Sequence, residues 1–148
     1  METIKVKILD SRAKIPQYAT SGSSGFDFYC ETDTPIPSNT WRMVVTGLCF
    51  QIPEGYEIQI RSRSGAALEH GLIVLNQPGT IDSDYRGPIS IMIWNITNKS
   101  VIIEAGTRIA QGVLCPVIRA NFEEVESLED TDRGSGGFGS TGLKRLVL

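Results

Sequence analysis

GTIDSDYRG, residues 79–87, lies between two runs of strand character, LIVLN at 72–76 and ISIMIWN at 89–95. Glycine at both ends permits a tight hairpin whose main-chain groups face a ligand. Polar loops carried on apolar strands are where binding and catalysis concentrate. On extended chain, Asp82 and Asp84 point one way and Tyr85 the other. Taken alone, a D-x-D-Y loop also reads as a solvated hairpin whose acids face water. The segments around it have to decide.

Outward from this loop the chain reads as short strands joined by turns. Upstream, Tyr56, Ile58 and Ile60 alternate with Glu57, Gln59 and Arg61, and Ile4, Val6 and Ile8 alternate with Lys5, Lys7 and Leu9. That two-residue period belongs to half-buried strands. FDFYC, 26–30, is a short apolar run around one acid, Asp27, which either pairs with a neighbouring donor or serves a ligand. WRMVVTGLCFQIP, 41–53, reads as a strand, a bend at Gly47 and a second strand. Downstream, Ile89, Ile91 and Ile93 alternate with Ser90, Met92 and Trp94, a strand covered on both faces, which suits a sandwich core or a subunit interface. Val101 to Ile103 is another short strand. In TRIAQGVLCPV, 107–117, Ile109, Val113 and Val117 share a face with Gln111, which must find hydrogen-bond partners among apolar neighbours. NFEEVESLE, 121–129, is the last strand-like piece.

A chain of 148 residues fits one domain able to bury its own core. Fifteen glycines and seven prolines favour many short strands over long helices, and 41% hydrophobic with 21% charged residues describes a soluble globular protein. A net charge of −3 lacks the basic face that stable nucleic-acid binding needs to displace counterions. Cys30, Cys49 and Cys115 are scattered in apolar runs, so they read as buried free thiols rather than a disulfide framework or zinc site. METIKVKILDSRAK, at the start, has no long apolar run, which predicts no signal peptide and no membrane span. The expected compartment is the cytoplasm, or also the nucleus in a eukaryotic source.

Two further segments carry ligand-type residues. In SRSGAALEHG, 62–71, Arg63, Ser64 and Gly65 precede the only helical stretch, Ala66 to His70. Guanidinium, hydroxyl and main-chain N–H groups at a helix start make an anion pocket; the other reading is a helix capped by Ser64 with surface arginines. His70, the only histidine, sits at the helix end and suits the carbonyls there better than catalysis. RGSGGFGSTG, 133–142, lacks any periodic apolar face and reads as a linker, or as a lid that orders on a triphosphate nucleotide.

Together these segments resemble the trimeric dUTP pyrophosphatases (dUTPases). The five motifs SSGFDF, SRSGAAL, NQPGTIDSDYRG, GTRIAQ and RGSGGFGSTG occur in that family's order and span almost the whole chain. The resemblance implies an all-β jelly roll, a distorted β-barrel of many short strands with one short helix. It implies a homotrimer in which each active site draws on three chains. Residues 1–126 would form the β-domain, and residues 127–148 a glycine-rich arm exchanged between subunits. The implied reaction is hydrolysis of dUTP to dUMP and pyrophosphate with Mg2+, limiting uracil incorporation into DNA and supplying dUMP for thymidylate synthesis. By the same resemblance Asp82 activates the attacking water, and Tyr85 packs on the deoxyribose and excludes a 2′-hydroxyl. Asn76 with the main chain of Gly79, Thr80 and Ile81 reads uracil. Arg63, Ser64 and Gly65 bind phosphate, Gln111 lies near the α-phosphate, and Asp27 contacts the magnesium through water. Arg133, Phe138, Gly139, Ser140 and Thr141 close over the base and the γ-phosphate.

Two positions depart from the family's pattern: Ser62 stands where Pro is usual, and Pro88 where an acid is commoner. Of these, Ser62 would loosen the phosphate loop. Two other readings stay in view. The related dCTP deaminases share the jelly roll but act on the base, and a nucleotide-binding module could keep the pocket without turnover. The arm and the GTIDSDYRG match favour hydrolysis.

Overall fold

The computed structural model describes residues 2–140 and Gly142, and the chain divides into two compact units, 1–118 and 119–148. The first unit is built of short antiparallel strands. In chain order they are β1 (Lys5–Ile8), β2 (Gln17–Tyr18), β3 (Phe26–Tyr29), β4 (Thr34–Ile36), β5 (Thr40–Val45), β6 (Leu48–Gln51) and β7 (Tyr56–Arg61). After the helix α1 (Ser64–His70) come β8 (Leu72–Val74), β9 (Gly79–Ile81), β10 (Ser90–Asn95), β11 (Val101–Ile103) and β12 (Arg108–Pro116). The all-β character and the one short helix among the described residues agree with the expectation. Instead of closing into a single barrel, the described strands divide into four sheets: β2-β3-β12-β7-β9, β5-β10-β8, β1-β6 and β11-β4.

The inward side chains of these sheets meet in one cluster. Phe26 and Phe28 from β3, Ile58 and Ile60 from β7 and Ala110 from β12 join Val44, Val74, Ile91 and Ile93 from the three-stranded sheet. Phe28 is fully buried at the centre of an aromatic run, with ring centroids 5.5 Å from Phe26 and 5.7 Å from Phe50. Room for these rings comes from Gly112, where a β-carbon would stand 2.5 Å from Phe26 Cε2 and 2.7 Å from Phe28 Cε2. The polar groups enclosed with this core are matched. Asn95, wholly buried, donates to the carbonyls of Ile36 (3.1 Å), Pro37 (3.2 Å) and Lys99 (2.7 Å), and accepts from the Thr97 hydroxyl (2.7 Å). No buried side-chain nitrogen or oxygen among the described residues lacks a partner, as the cost of desolvating an unpaired polar group requires.

Several local expectations change. The segments flanking GTIDSDYRG are not the two arms of one simple hairpin: β8 pairs with β10, whereas β9 crosses to pair with β7, Gly79 lying opposite Ile60. The stretch therefore bridges two sheets. In β12 a bulge between Arg108 and Ala110 shifts the register, so Ile109 and Ala110 are both buried and Gly112 faces the core. Gln111 consequently points away from the core rather than sharing a core face with Ile109. Residues 121–129 form no strand, and Phe122 and Leu128 are exposed, at 98% and 86%. An isolated extended piece without a pairing edge has nothing to satisfy its main chain but water. Of the three thiols, Cys30 and Cys49 are buried and Cys115 is half-buried; burial pushes the Cys30 thiol up, so it is held as a neutral thiol donating to the Thr32 carbonyl at 2.7 Å. The β10 strand buries Ile91 and Ile93 in the core, while on its other face Met92 and Trp94 lie opposite Met43 and Trp41, themselves about half exposed.

The tight seat of the two rings yields a stability test. Gly112→Ala should overpack the β3–β12 contact and destabilise the protein by about 1–3 kcal/mol, read as a lower midpoint in urea unfolding with the slope unchanged.

Candidate active site

The bridging stretch builds one cavity. Asp82 is the first residue of a β-turn closed by the Tyr85 N–H donating to the Asp82 carbonyl at 3.2 Å, and Asp suits that position because its short carboxylate can hydrogen-bond nearby main chain. The turn replaces the expected extended course. It also reverses the expected opposition of Asp82 and Tyr85: both line a cavity of 230 Å³ with Asn76, Gly79, Thr80 and Ile81. Asp84 is exposed and is not among the residues lining it. The Tyr85 hydroxyl donates to the Pro88 carbonyl at 3.1 Å, while the Arg86 guanidinium donates to the carbonyls of Ser83 (2.6 Å) and Tyr85 (2.9 Å). These bonds fix the turn from both sides.

The glycines that open and close the stretch act through space, and neither has a positive φ. A β-carbon on Gly79 would come within 3.2 Å of Asn76 Nδ2 and 3.4 Å of Ile60 Cβ, so glycine lets the Asn76 amide lie close over the β9 main chain. At Gly87 a β-carbon would collide with the Tyr85 ring and hydroxyl. The Gln77–Pro78 peptide between Asn76 and Gly79 is cis.

A second cavity, of 360 Å³, is lined by the polar side chains of Arg63, Arg108, Glu69 and His70 and by buried Leu72 and Ile93. Asp27 pairs with the two arginines. Its Oδ1 lies 2.8 Å from Arg63 Nε and its Oδ2 3.2 Å from Arg108 Nη1, and Arg63 Nη1 donates to the Arg108 carbonyl at 3.3 Å. Of the two readings of Asp27, pairing with donors describes this arrangement. Register explains it: Asp27 lies opposite Gln111, and Gln111 opposite Arg61, in one row across β3, β12 and β7. The row ends two residues before Arg63.

Around the helix start, Arg63 occupies the N-cap position and makes no side-chain cap; Ser64 is the first helical residue, so the expected Ser64 cap is not formed. Ser64 and Gly65 are exposed, and Gly65 lines the second cavity. At the other end, Gly71, with φ +60°, donates its N–H to the carbonyls of Ala66 and Ala67. His70 is exposed and lies 3.9 Å from Glu69 instead of engaging those carbonyls. Gln111 donates to the Ser62 carbonyl at 2.9 Å.

The unit of residues 119–148 contains the remaining expected residues. Its chain turns repeatedly, with Gly136 N–H donating to the Arg133 carbonyl (3.0 Å) and Ser140 N–H to the Gly137 carbonyl (3.0 Å). Arg133 Nε donates to the Gly136 carbonyl at 2.9 Å, and Phe138 is fully exposed. Positive φ at Gly134 (+48°) and Gly139 (+93°) is what makes glycine necessary in these turns. Thr141 lies outside the described residues.

The contacts of three residues here escaped sequence reasoning. Arg108 precedes the bulge, and a bulge leaves no mark in hydrophobic periodicity. Ser62 and Gln77 meet through a hydrogen bond between segments 15 positions apart. Each lies in a quoted motif, Arg108 in GTRIAQ, Ser62 in SRSGAAL and Gln77 in NQPGTIDSDYRG, but no motif carries the pairing between segments.

Known proteins share this chain's sequence pattern and fold. The dUTPase family model matches residues 11–142. The chain is 50% identical over 139 residues to the deoxyuridine 5′-triphosphate nucleotidohydrolase of Nautilia profundicola, covering 94% of this chain and 98% of that protein. It is 51% identical over 140 residues to the enzyme of the same name from Hydrogenobaculum sp., covering 94% and 97%. Among solved structures, it is similar to Staphylococcus bacteriophage 80alpha dUTPase with dUPNHPP, at a TM-score of 0.89 and 27% identity over 97% of this chain and 100% of that one. A mutant dUTPase of phage phi11 of S. aureus, with a coordinated structural Mg(II) ion, shares the fold at a TM-score of 0.79 and 23% identity, covering 86% and 99%.

The Asp27 clamp is open to direct test. Asp27→Asn leaves two guanidinium groups without their counter-charge and should destabilise the first unit by roughly 1–3 kcal/mol in chemical denaturation, with the loss reduced when Arg108→Ala is added.

Proposed function

The chain belongs to the dUTPase family, and from that membership we propose that it hydrolyses dUTP to dUMP and pyrophosphate through Asp82, limiting uracil incorporation into DNA and supplying dUMP for thymidylate synthesis. The observation that carries the reading is the cavity that brings Asp82 and Tyr85 together beside Asn76 and the main chain of Gly79 to Ile81. Asn76 and the β9 peptide groups present hydrogen-bonding edges to uracil. Tyr85 packs on the sugar, where a 2′-oxygen would find neither space nor a partner. Asp82, exposed at the cavity, holds and deprotonates the water that attacks the α-phosphate in line. Arg63 with Ser64 and Gly65 takes the phosphate chain, and Gln111 the α-phosphate.

The residues present fit a magnesium ion that arrives with its nucleotide. Among the described residues no group of three or more His, Cys, Asp or Glu side chains forms a metal cage. Mg2+ commonly keeps several waters and binds through one or two carboxylates plus substrate phosphates, so the lone Asp27 suffices as a contact through water. When bound, the ion would supply charge neutralisation on the triphosphate; Asp27 itself pairs with the Arg63 and Arg108 guanidinium groups.

We assign the working assembly as a homotrimer with residues 1–126 as the β-domain and 127–148 as an arm that completes a neighbouring copy's site. In support, the cavity of Asp82 and the cavity of Arg63 share no lining residue, so one chain does not gather the machinery in one place. The half-exposed Trp41 and Met43, beside Met92 and Trp94, also leave an apolar sheet face suited to contact between copies. Arg133, Phe138, Gly139, Ser140 and Thr141 bring charge, a ring and hydroxyls to the base and γ-phosphate. No helix among the described residues is long and apolar enough to cross a membrane. We place the enzyme in the cytoplasm, or also the nucleus of a eukaryotic source, without stable nucleic-acid or membrane binding.

Pyrophosphate release from dUTP, against dTTP, dCTP and UTP, tests the function directly; equal turnover of all four would overturn it. Asp82→Asn should retain dUTP binding while losing turnover by on the order of 10²-fold or more, the size of a general-base contribution. Near-normal turnover would move the base elsewhere. For the assembly, a chain truncated before Arg133 should be nearly inactive, and co-refolding it with full-length Asp82→Asn should restore activity, because one copy supplies Asp82 and another the arm. Mixed trimers verified by mass that stay inactive would show that the arm serves its own chain.

A further inference from the structure

Tyr85 is 44% exposed, yet every polar group it has is engaged. Its N–H donates to the Asp82 carbonyl at 3.2 Å, its carbonyl accepts from Arg86 Nη1 at 2.9 Å, and its hydroxyl donates to the Pro88 carbonyl at 3.1 Å. The ring itself lies over bare main chain. A β-carbon on Gly87 would stand 2.6 Å from Tyr85 Cζ and 2.9 Å from Cε2, so no side chain fits beneath it.

The acceptor of the Tyr85 hydroxyl is itself tied to the core. The Pro88 carbonyl belongs to the same planar peptide unit as the Ile89 N–H, and that N–H donates to the carbonyl of fully buried Leu48 at 2.8 Å. With one end of the plane fixed to β6, the other end is aimed away from it, at Tyr85. One residue further on, the Ile89 carbonyl accepts from both the N–H (3.2 Å) and the hydroxyl (2.8 Å) of buried Thr46. An exposed ring is thus anchored through two peptide units to the interior.

We propose that Gly87 and Pro88 are positioning residues for sugar selection: the bare Gly87 main chain and the Pro88 carbonyl seat the Tyr85 ring so that it cannot swing away from a 2′-oxygen. The inference rests on the proposed dUTP hydrolysis, with Tyr85 as the ring that faces the sugar. A wall that excludes by shape discriminates only as far as it resists displacement, and a lone exposed ring turns about its side-chain bonds unless its far end is held. Tyr85 and Pro88 both line the Asp82 cavity of one chain, so the seat acts alike whichever copy brings the phosphate-binding groups. Since the acceptor is main chain, proline in place of an acid at position 88 leaves it intact.

The test is the ratio of kcat/KM for dUTP to that for UTP, measured on the full-length protein. Tyr85→Phe keeps the ring and removes only the hydroxyl, and should narrow the ratio about fivefold, the size of one net hydrogen bond, at an unchanged thermal midpoint. Gly87→Ala pushes the ring off its seat and should narrow it at least as far; adding Tyr85→Phe to that variant should then cost nothing more. Pro88→Ala retains the carbonyl and should keep the ratio within about twofold of the unsubstituted value. If Gly87→Ala does not fold, the other two variants decide alone. An unchanged ratio in Tyr85→Phe, an equal loss on dUTP and UTP, or a ratio that collapses in Pro88→Ala overturns the seat while leaving dUTP hydrolysis standing. Failure of the unsubstituted protein to release pyrophosphate from dUTP would instead overturn the functional reading, and the positioning role with it.

Discussion

The seating of Phe26 and Phe28 against the bare backbone of Gly112 is the contact on which the rest of the first unit depends. It locks β3 to β12, and β12 in turn pairs with β7, so one close approach sets the register of three strands. In a sheet, side chains of opposed residues emerge on the same face. With Phe28 pointed inward, Asp27, Gln111 and Arg61 are all pointed outward in a row. A register slip of one residue would exchange this polar row for the aromatic one and leave neither a core nor a charged cluster.

Upon that frame, two local irregularities make the site. The bulge at Arg108 to Ala110 buries two successive residues and leaves Arg108 beside Asp27. The turn from Asp82 to Tyr85 folds a polar stretch back so that its acid and its ring face one cavity. Regular strands could do neither, because strict alternation separates neighbours onto opposite faces. Irregular backbone of this kind, held by a rigid scaffold, is where ligand-facing groups are expected.

Charge in the site is balanced within the chain. Asp27 holds Arg63 and Arg108 at once, one carboxylate oxygen to each. Such an arrangement sets two guanidinium groups together on a protein whose net charge is −3. These cationic groups are confined to one cluster rather than spread over a face, so they are compatible with a composition that argues against nucleic-acid binding.

Much of this was legible along the chain. Alternation at Tyr56 to Arg61 and at Ile89 to Trp94 marked strands because burial of one face imposes a period of two. Gly47 marked a bend, where φ is +70°, and the five motifs located Asp82, Tyr85, Asn76, Arg63 and Gln111. The sequence by itself thus determined the all-β class, the family and the residue types available for chemistry, since those depend on local pattern and on side-chain identity. Which residues meet was decided only by tertiary structure. The crossing of β9 to β7, the outward turn of Gln111, the Arg63–Asp27–Arg108 clamp and the Ser62–Gln77 bond all join segments distant in sequence. Their physical cause is the register set by packing around Phe28, and periodicity along one strand carries no record of the strand beside it.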